Sequence, residues 1–273
     1  MKKALIKPLL VAALLTSAIT AQAHRAWILP DVTVLSGEAP SVTFDMAVSN
    51  SLFNFDHVPV GNASLIIHSP NGELLAPENL YTGKFRTVFD LTLKKEGTYH
   101  IAISSQGLFA KWEGDAGKPQ FYPKRGEIFK QDEFEKVVPK NAAKLEIVQS
   151  SRRVETFVSL GKPSAFTLTQ QGLELKAVTH PNDLFVGEKA KFQFYMDGKA
   201  VEGVDVTVIR EGTRYRNDPQ ELKYRTDKNG EIEINWNGAG RYYLAASYKD
   251  NQAQKPASSR AGSYAAVFEV LPE

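Results

Sequence analysis

The stretch "EGTYHIAIS", residues 96–104, decides how this chain is read. Tyr99, Ile101 and Ile103 occupy alternate positions, the period of a strand buried on one face. Gly97, two places before the tyrosine, supplies the turn that starts it. The same arrangement returns 143 positions later, measured glycine to glycine, in "AGRYYLAAS" (239–247). A second pair of landmarks, "VLSGEAPSVTF" (34–44) and "LFVGEKAKFQF" (184–194), shares a Gly-Glu at an offset of 150. Order and spacing are nearly preserved, so one β-rich unit occurs twice. The Gly-x-Tyr resembles the tyrosine that anchors a corner of immunoglobulin-like sandwiches, and Tyr99 and Tyr242 are predicted to be buried.

Working outward, short runs rich in Val, Ile, Phe and Tyr recur between Gly, Pro, Asn and Asp turns: "SVTFDMAV", "RTVFDLTL", "KFQFYM", "VDVTVIR", "YAAVFEVL". The pattern is all-β: two tandem immunoglobulin-like β-sandwich domains, residues 24–162 and 163–273, with "GKPS" (161–164) as the linker. Residues 106–140 break the strand pattern and read as a long loop or insertion on the first domain. "QDEFEKVV" (131–138) is the one helical candidate, stopped by Pro139. "KLEIVQSSRRVETFVSL" (144–160) reads as a closing strand pair.

Residues 1–23 carry Lys2, Lys3 and Lys7, then the apolar "LLVAALLTSAIT", then "AQA". This is the form of a cleaved signal peptide, with Ala21 and Ala23 at the positions read by signal peptidase. The run is too short to span a bilayer, which takes about 20 residues. The expected mature chain is therefore periplasmic, without direct membrane insertion. Three of the 33 basic residues precede the cut, which leaves 30 against 31 acidic ones. So balanced a charge gives no footprint for nucleic acid. The chain has no cysteine, which excludes disulfides, thiolate metal sites and a Cys nucleophile.

Cleavage after Ala23 makes His24 the first residue. A terminal histidine offers a free α-amine and ring Nδ1 to one metal ion as a chelate. Amines and imidazoles both release protons readily near neutral pH. One or two further imidazoles or carboxylates would complete a site for Cu(II), Ni(II) or Zn(II). Only four other histidines exist: His57, His68, His100 and His180. His57 lies in the aromatic loop "SNSLFNFDHVPVGN", beside Asp56, and reads equally as a ligand or a solvated turn residue. His68 and His100 alternate away from the apolar face of their strands and read as exposed. His180, in "THPND", reads as a turn residue or a ligand. No nucleophile elbow, zincin, phosphate-loop or dinucleotide fingerprint is present. The basic-aromatic "GTRYRNDPQELKYRT" (212–226) could take an anion or a sugar, or be a solvated hairpin loop.

The opening "AHRAWILPD", the segment "LFVGEKAKFQFYMDGKAVEGVDVTV" and the closing "SRAGSYAAVFEVL" resemble the NikM-like family of exported bacterial proteins. That resemblance implies a non-enzymatic periplasmic substrate-binding or accessory component of nickel or cobalt uptake. Its cargo is a metal ion or metal chelate, and its partner a membrane transporter or outer-membrane receptor. Carried over, the metal-contacting positions are His24, His57 and His180, for a divalent ion among Ni, Co, Cu, Zn and Fe. With no Cys and three Met, soft Cu(I) handling is not expected. Two other classes stay open. One is a copper-dependent oxidative enzyme using the same terminal histidine. The other is a metal-free adhesive or carbohydrate-binding module.

Overall fold

The computed structural model describes residues 24–124 and 127–273, and the expected signal peptide lies outside them. The first half forms β1 (Arg25–Pro30), β2 (Val34–Leu35), β3 (Ser41–Ser49), β4 (Val58–Pro59), β5 (Leu65–His68), β6 (Glu78–Thr82), β7 (Thr87–Thr92), β8 (Gly97–Glu113), β9 (Pro119–Tyr122), the helix α1 (Gln131–Val137) and β10 (Ala143–Leu160). The second half adds β11 (Leu173–Ala177), β12 (Lys189–Met196), β13 (Lys199–Ala200), β14 (Asp205–Arg210), β15 (Leu222–Arg225), β16 (Glu231–Asn235), β17 (Gly240–Asp250) and β18 (Ser259–Val270). The fold is an all-β sandwich, and no described helix is long and apolar enough to cross a membrane.

Three sheets build it. A first outer sheet runs β1-β3-β7-β6 with β4 also on β3, and a second runs β11-β12-β13 with β16 also on β12. Between them lies a nine-stranded sheet, β15-β14-β17-β18-β10-β8-β5, with β2 on β10 and β9 on β8. Each face of this central sheet closes one core. Tyr99, Ile101, Val158 and Val267 face Trp27, Phe44, Met46 and Phe89 of the first outer sheet. Phe157, Leu244, Tyr264 and Phe268 face Phe192 and Phe194 of the second. Neighbouring residues of β18 therefore enter different cores, which is why "YAAVFEVL" reads as a continuous apolar run rather than an alternating one. Each fully buried Phe of this kind is worth about 1.5–3 kcal/mol.

The division at 162/163 into two self-contained domains is not what this topology draws. The last strand, β18, lies parallel to β10 of the first half from Val148 opposite Ser259 to Thr156 opposite Val267. The two sandwiches thus share a sheet. Alternation shows that both halves need a covered face, but it carries no information about which strand lies beside which.

The repeated landmarks occupy equivalent places. Gly37 (φ +100°) and Gly187 (φ +82°) turn the chain through left-handed backbone just before β3 and β12, the strands around which the two outer sheets are built. The Gly-x-Tyr motifs start β8 and β17 of the central sheet. Tyr99 and Tyr242 are buried, and their hydroxyls donate to the carbonyls four residues upstream, Lys95 O at 3.1 Å and Gly238 O at 2.8 Å.

Residues 106–140 are not a loop throughout. Residues 106–113 continue β8, and 143–160 form one long strand, not a pair, antiparallel to it from Glu113 opposite Ala143 to Gly97 opposite Leu160. This hairpin projects past the sandwich as an arm, because β9 and α1 cover it with a small core of its own: Ala110, Trp112, Tyr122, Phe134 and Val138. The helix ends where Pro139 predicts, with Val138 as its cap.

Candidate functional site

The end of β3 positions the terminal histidine. β1 runs antiparallel to β3 with Arg25 opposite Ser49, so His24 lies just beyond the last residue of β3. β4 pairs with the other edge of the same strand, Val58 opposite Val48, and His57 immediately precedes it. The two histidines reach around the strand end from opposite flanks. Their rings stack with centroids 4.1 Å apart and planes 10° from parallel. His24 is exposed and His57 half-buried.

The loop between β3 and β4 is held from several sides. The Asp56 carboxylate accepts the backbone N–H groups of Asn50 (2.8 Å) and Ser51 (3.0 Å). Desolvation pushes this carboxyl up, but those bonds and the neighbouring His57 together hold it below the ordinary carboxylate value. Phe53 and Phe55 lie against Trp27 at 5.6 and 5.5 Å between centroids. The Trp27 indole N–H donates to Ser49 Oγ at 2.9 Å, so its one polar atom is satisfied in full burial. Arg86 stacks on Phe55 from outside, 4.4 Å from the ring centre. On the other flank Arg25 pairs with Glu221 at 2.9 Å, tying the 212–226 loop of the second half to the terminal strand. Within that loop the Arg216 guanidinium donates to the carbonyls of Arg210 and Glu211, so it shapes the turn and is not free for an anion.

The other histidines are elsewhere in the fold. His180 is engaged at both ring nitrogens. Its Nδ1 accepts the Asn182 N–H at 3.0 Å, which places the proton on Nε2, 3.0 Å from both Ser164 O and Thr98 Oγ1. Burial depresses its pKa below the ordinary histidine value. It belongs to the seam between the halves, and the expectation of a ligand at His180 is corrected by these occupied nitrogens. His68 and His100 are register partners across β5 and β8, with ring centroids 6.4 Å apart, and neither meets His24.

His100 is also not exposed, because the face of β8 opposite the first core is itself covered by the segment carrying Phe166 and His180. Its Nε2 lies 2.8 Å from Glu155 Oε2, and Tyr264 donates to the other carboxylate oxygen at 2.5 Å. Arg153 stands 3.6 Å from Glu155 and 3.3 Å from Glu174. All five side chains are buried. Burial pushes the Glu155 carboxyl up, yet His100, Arg153 and Tyr264 together hold it below the ordinary value. This network went unread in the sequence. Its signal is the run Arg153, Glu155, Phe157, in which charge and an aromatic share one strand face.

Among the described residues no three His, Cys, Asp or Glu side chains assemble as a metal-ligating group. The candidate site is therefore the His24–His57 pair.

A family model matches residues 21–250. The chain belongs to the DUF4198 family, a domain of unknown function. No curated relative matches it. Among solved structures, this DUF4198 chain is similar to a DUF4785 family protein from Legionella pneumophila, at 8% identity and TM-score 0.25, over 80% of this chain and 50% of that one. It thus spans about half the length of that protein. It is also similar to the D0-D1 domain of intimin, at 11% identity and TM-score 0.23, over 88% of this chain and 96% of that one. A DUF3823 family protein from Bacteroides uniformis gives 11% identity and TM-score 0.24, over 91% and 100%.

Proposed function

We propose that this chain is a periplasmic, non-enzymatic protein that binds a divalent transition metal through His24 and His57, as an accessory or substrate-binding component of metal uptake. The observation that carries this reading is the stacking of those two rings, 33 positions apart in sequence, around the end of β3. The donor set fits such an ion. Two imidazoles and the α-amine released by cleavage after Ala23 make three nitrogen donors, the borderline chemistry that suits Ni(II), Co(II), Cu(II) and Zn(II). The resemblance of "AHRAWILPD" to NikM-like proteins favours nickel or cobalt as cargo and a membrane transporter or receptor as partner.

The chain's own residues do the positioning. Asp56 fixes the loop that presents His57, and the Trp27 cluster joins that loop to β1, so the half-buried ring is held in advance of the ion. The rings lie face to face, and their ring nitrogens do not converge on one point. Capture by both therefore turns the exposed His24 ring, the freer of the two, toward His57.

Calorimetric titration of the exported protein with Ni(II), Cu(II) and Zn(II) tests this. His24→Ala and His57→Ala are each expected to weaken binding at least tenfold, and His180→Ala to leave affinity unchanged while lowering stability. Equal affinity in all four proteins would overturn the reading.

A further inference from the structure

The arm is covered on one face only. There α1 and Tyr122 close over Ala110 and Trp112. On the other face Phe109 of β8 and Phe121 of β9 remain exposed. Lys111 lies opposite Phe121 in register, which makes Phe109 and Phe121 diagonal neighbours on one sheet face. Their rings are 6.0 Å apart and inclined by 28°. With Ile128 and Phe129 they line a cleft of about 610 Å³. Phe129 forms a fixed wall, since it lies so close to the backbone that a Cβ on Gly107 would come within 2.3 Å of its ring. Aromatic rings left in water around a preformed concavity of this size are the pattern of a ligand site rather than of ordinary surface. Two cations, Arg152 and Lys124, complete its lining, and neither enters an ion pair among the described residues. The acid at the rim, Glu127, turns back to accept the Lys124 backbone N–H at 3.1 Å.

We propose that this cleft binds a small amphipathic anion, a flat aromatic or apolar body bearing one carboxylate or sulfonate. The body lies on Phe109 and Phe121, and the anion meets Arg152 and Lys124. The rings supply contact area, and the guanidinium supplies orientation, because its planar donors match a carboxylate in two-point contact. This site is independent of the histidine pair.

Two fluorescent probes that share a ring system separate the two contributions. Anilinonaphthalene sulfonate carries the anion, and N-phenyl-1-naphthylamine does not. The full exported protein is expected to bind the sulfonate saturably at one site. Phe109→Ser, Phe121→Ser and Ile128→Asp should each weaken both probes about tenfold, with an unchanged near-ultraviolet spectrum showing an intact fold. The double change Arg152→Gln, Lys124→Gln should weaken the sulfonate at least fivefold and leave the neutral probe unaffected. Absence of saturable binding, indifference to the Phe changes, or equal loss of both probes in the double variant would each overturn the proposal.

Discussion

At the scale of single residues, the terminal chelate makes a demand that no side-chain substitution can imitate. One extra Ala ahead of His24 converts its amine to an amide and keeps every ring in place. That extension is expected to weaken metal binding nearly as much as His24→Ala, read by the same titration. The corner tyrosines allow a similar separation. Tyr99→Ala should cost roughly 3 kcal/mol or more, since it empties a packed site, whereas Tyr99→Phe removes only the hydroxyl bonds to Lys95, worth about 1 kcal/mol. Urea unfolding of both variants checks the difference. Two buried groups then set the acid limit. His180 and Glu155 both have depressed pKa values in the fold, so the unfolded chain takes up each proton first and stability is lost as pH falls. The His180 contribution is present above the ordinary imidazole pKa and fades below it. The Glu155 contribution persists until pH falls below the ordinary carboxylate pKa. Unfolding free energy measured against pH should therefore decline in two stages, and His180→Gln should remove the first.

At the scale of elements, the β8/β10 hairpin does two jobs along one length. From Gly97 to Phe109, and from Val148 to Leu160, it lies in the central sheet, with β18 beside β10 as far as Val148. Beyond that it is an arm whose small core shares no residue with either main core. Replacing residues 110–147 by Asn-Gly, a pair suited to a two-residue hairpin turn and here joining the register partners Phe109 and Val148, should leave the sandwich folded. A retained cooperative thermal transition would show this, and loss of it would mean that the arm is part of the structural core. The same substitution should abolish binding of both naphthalene probes. The run "SSRR" inside β10 explains why this strand looked like two. Its polar residues interrupt the apolar pattern because Ser151 and Arg153 meet buried polar partners, the Leu173 N–H and Glu174, yet the backbone ladder to β8 continues through them.

At the scale of the whole molecule, the shared sheet predicts that the halves are not separable. A fragment of residues 163–273 keeps β18 but loses β10 beside it, and Ala265, Val267, Ile209 and Tyr243 lose the first core. That fragment is expected to be insoluble or to lack fixed packing, while the intact chain unfolds in one transition with equal calorimetric and van't Hoff enthalpies. A folded, monomeric 163–273 fragment would refute the prediction. What the sequence by itself determined is the strands β3, β7, β8, β12, β14, β17 and β18 in their main apolar runs, the two Gly-Glu turns, the two tyrosine corners and the helix end at Pro139. All of these follow from alternation, backbone dihedrals and hydrogen bonds reaching no more than four residues. Only the tertiary structure decided that β18 lies beside β10, that His57 meets His24, and that His100 is buried against Glu155. Alternation states which face of a strand a side chain occupies, but what covers that face depends on pairings between residues far apart in the chain. Such pairings are selected by the packing of the whole and leave no local mark.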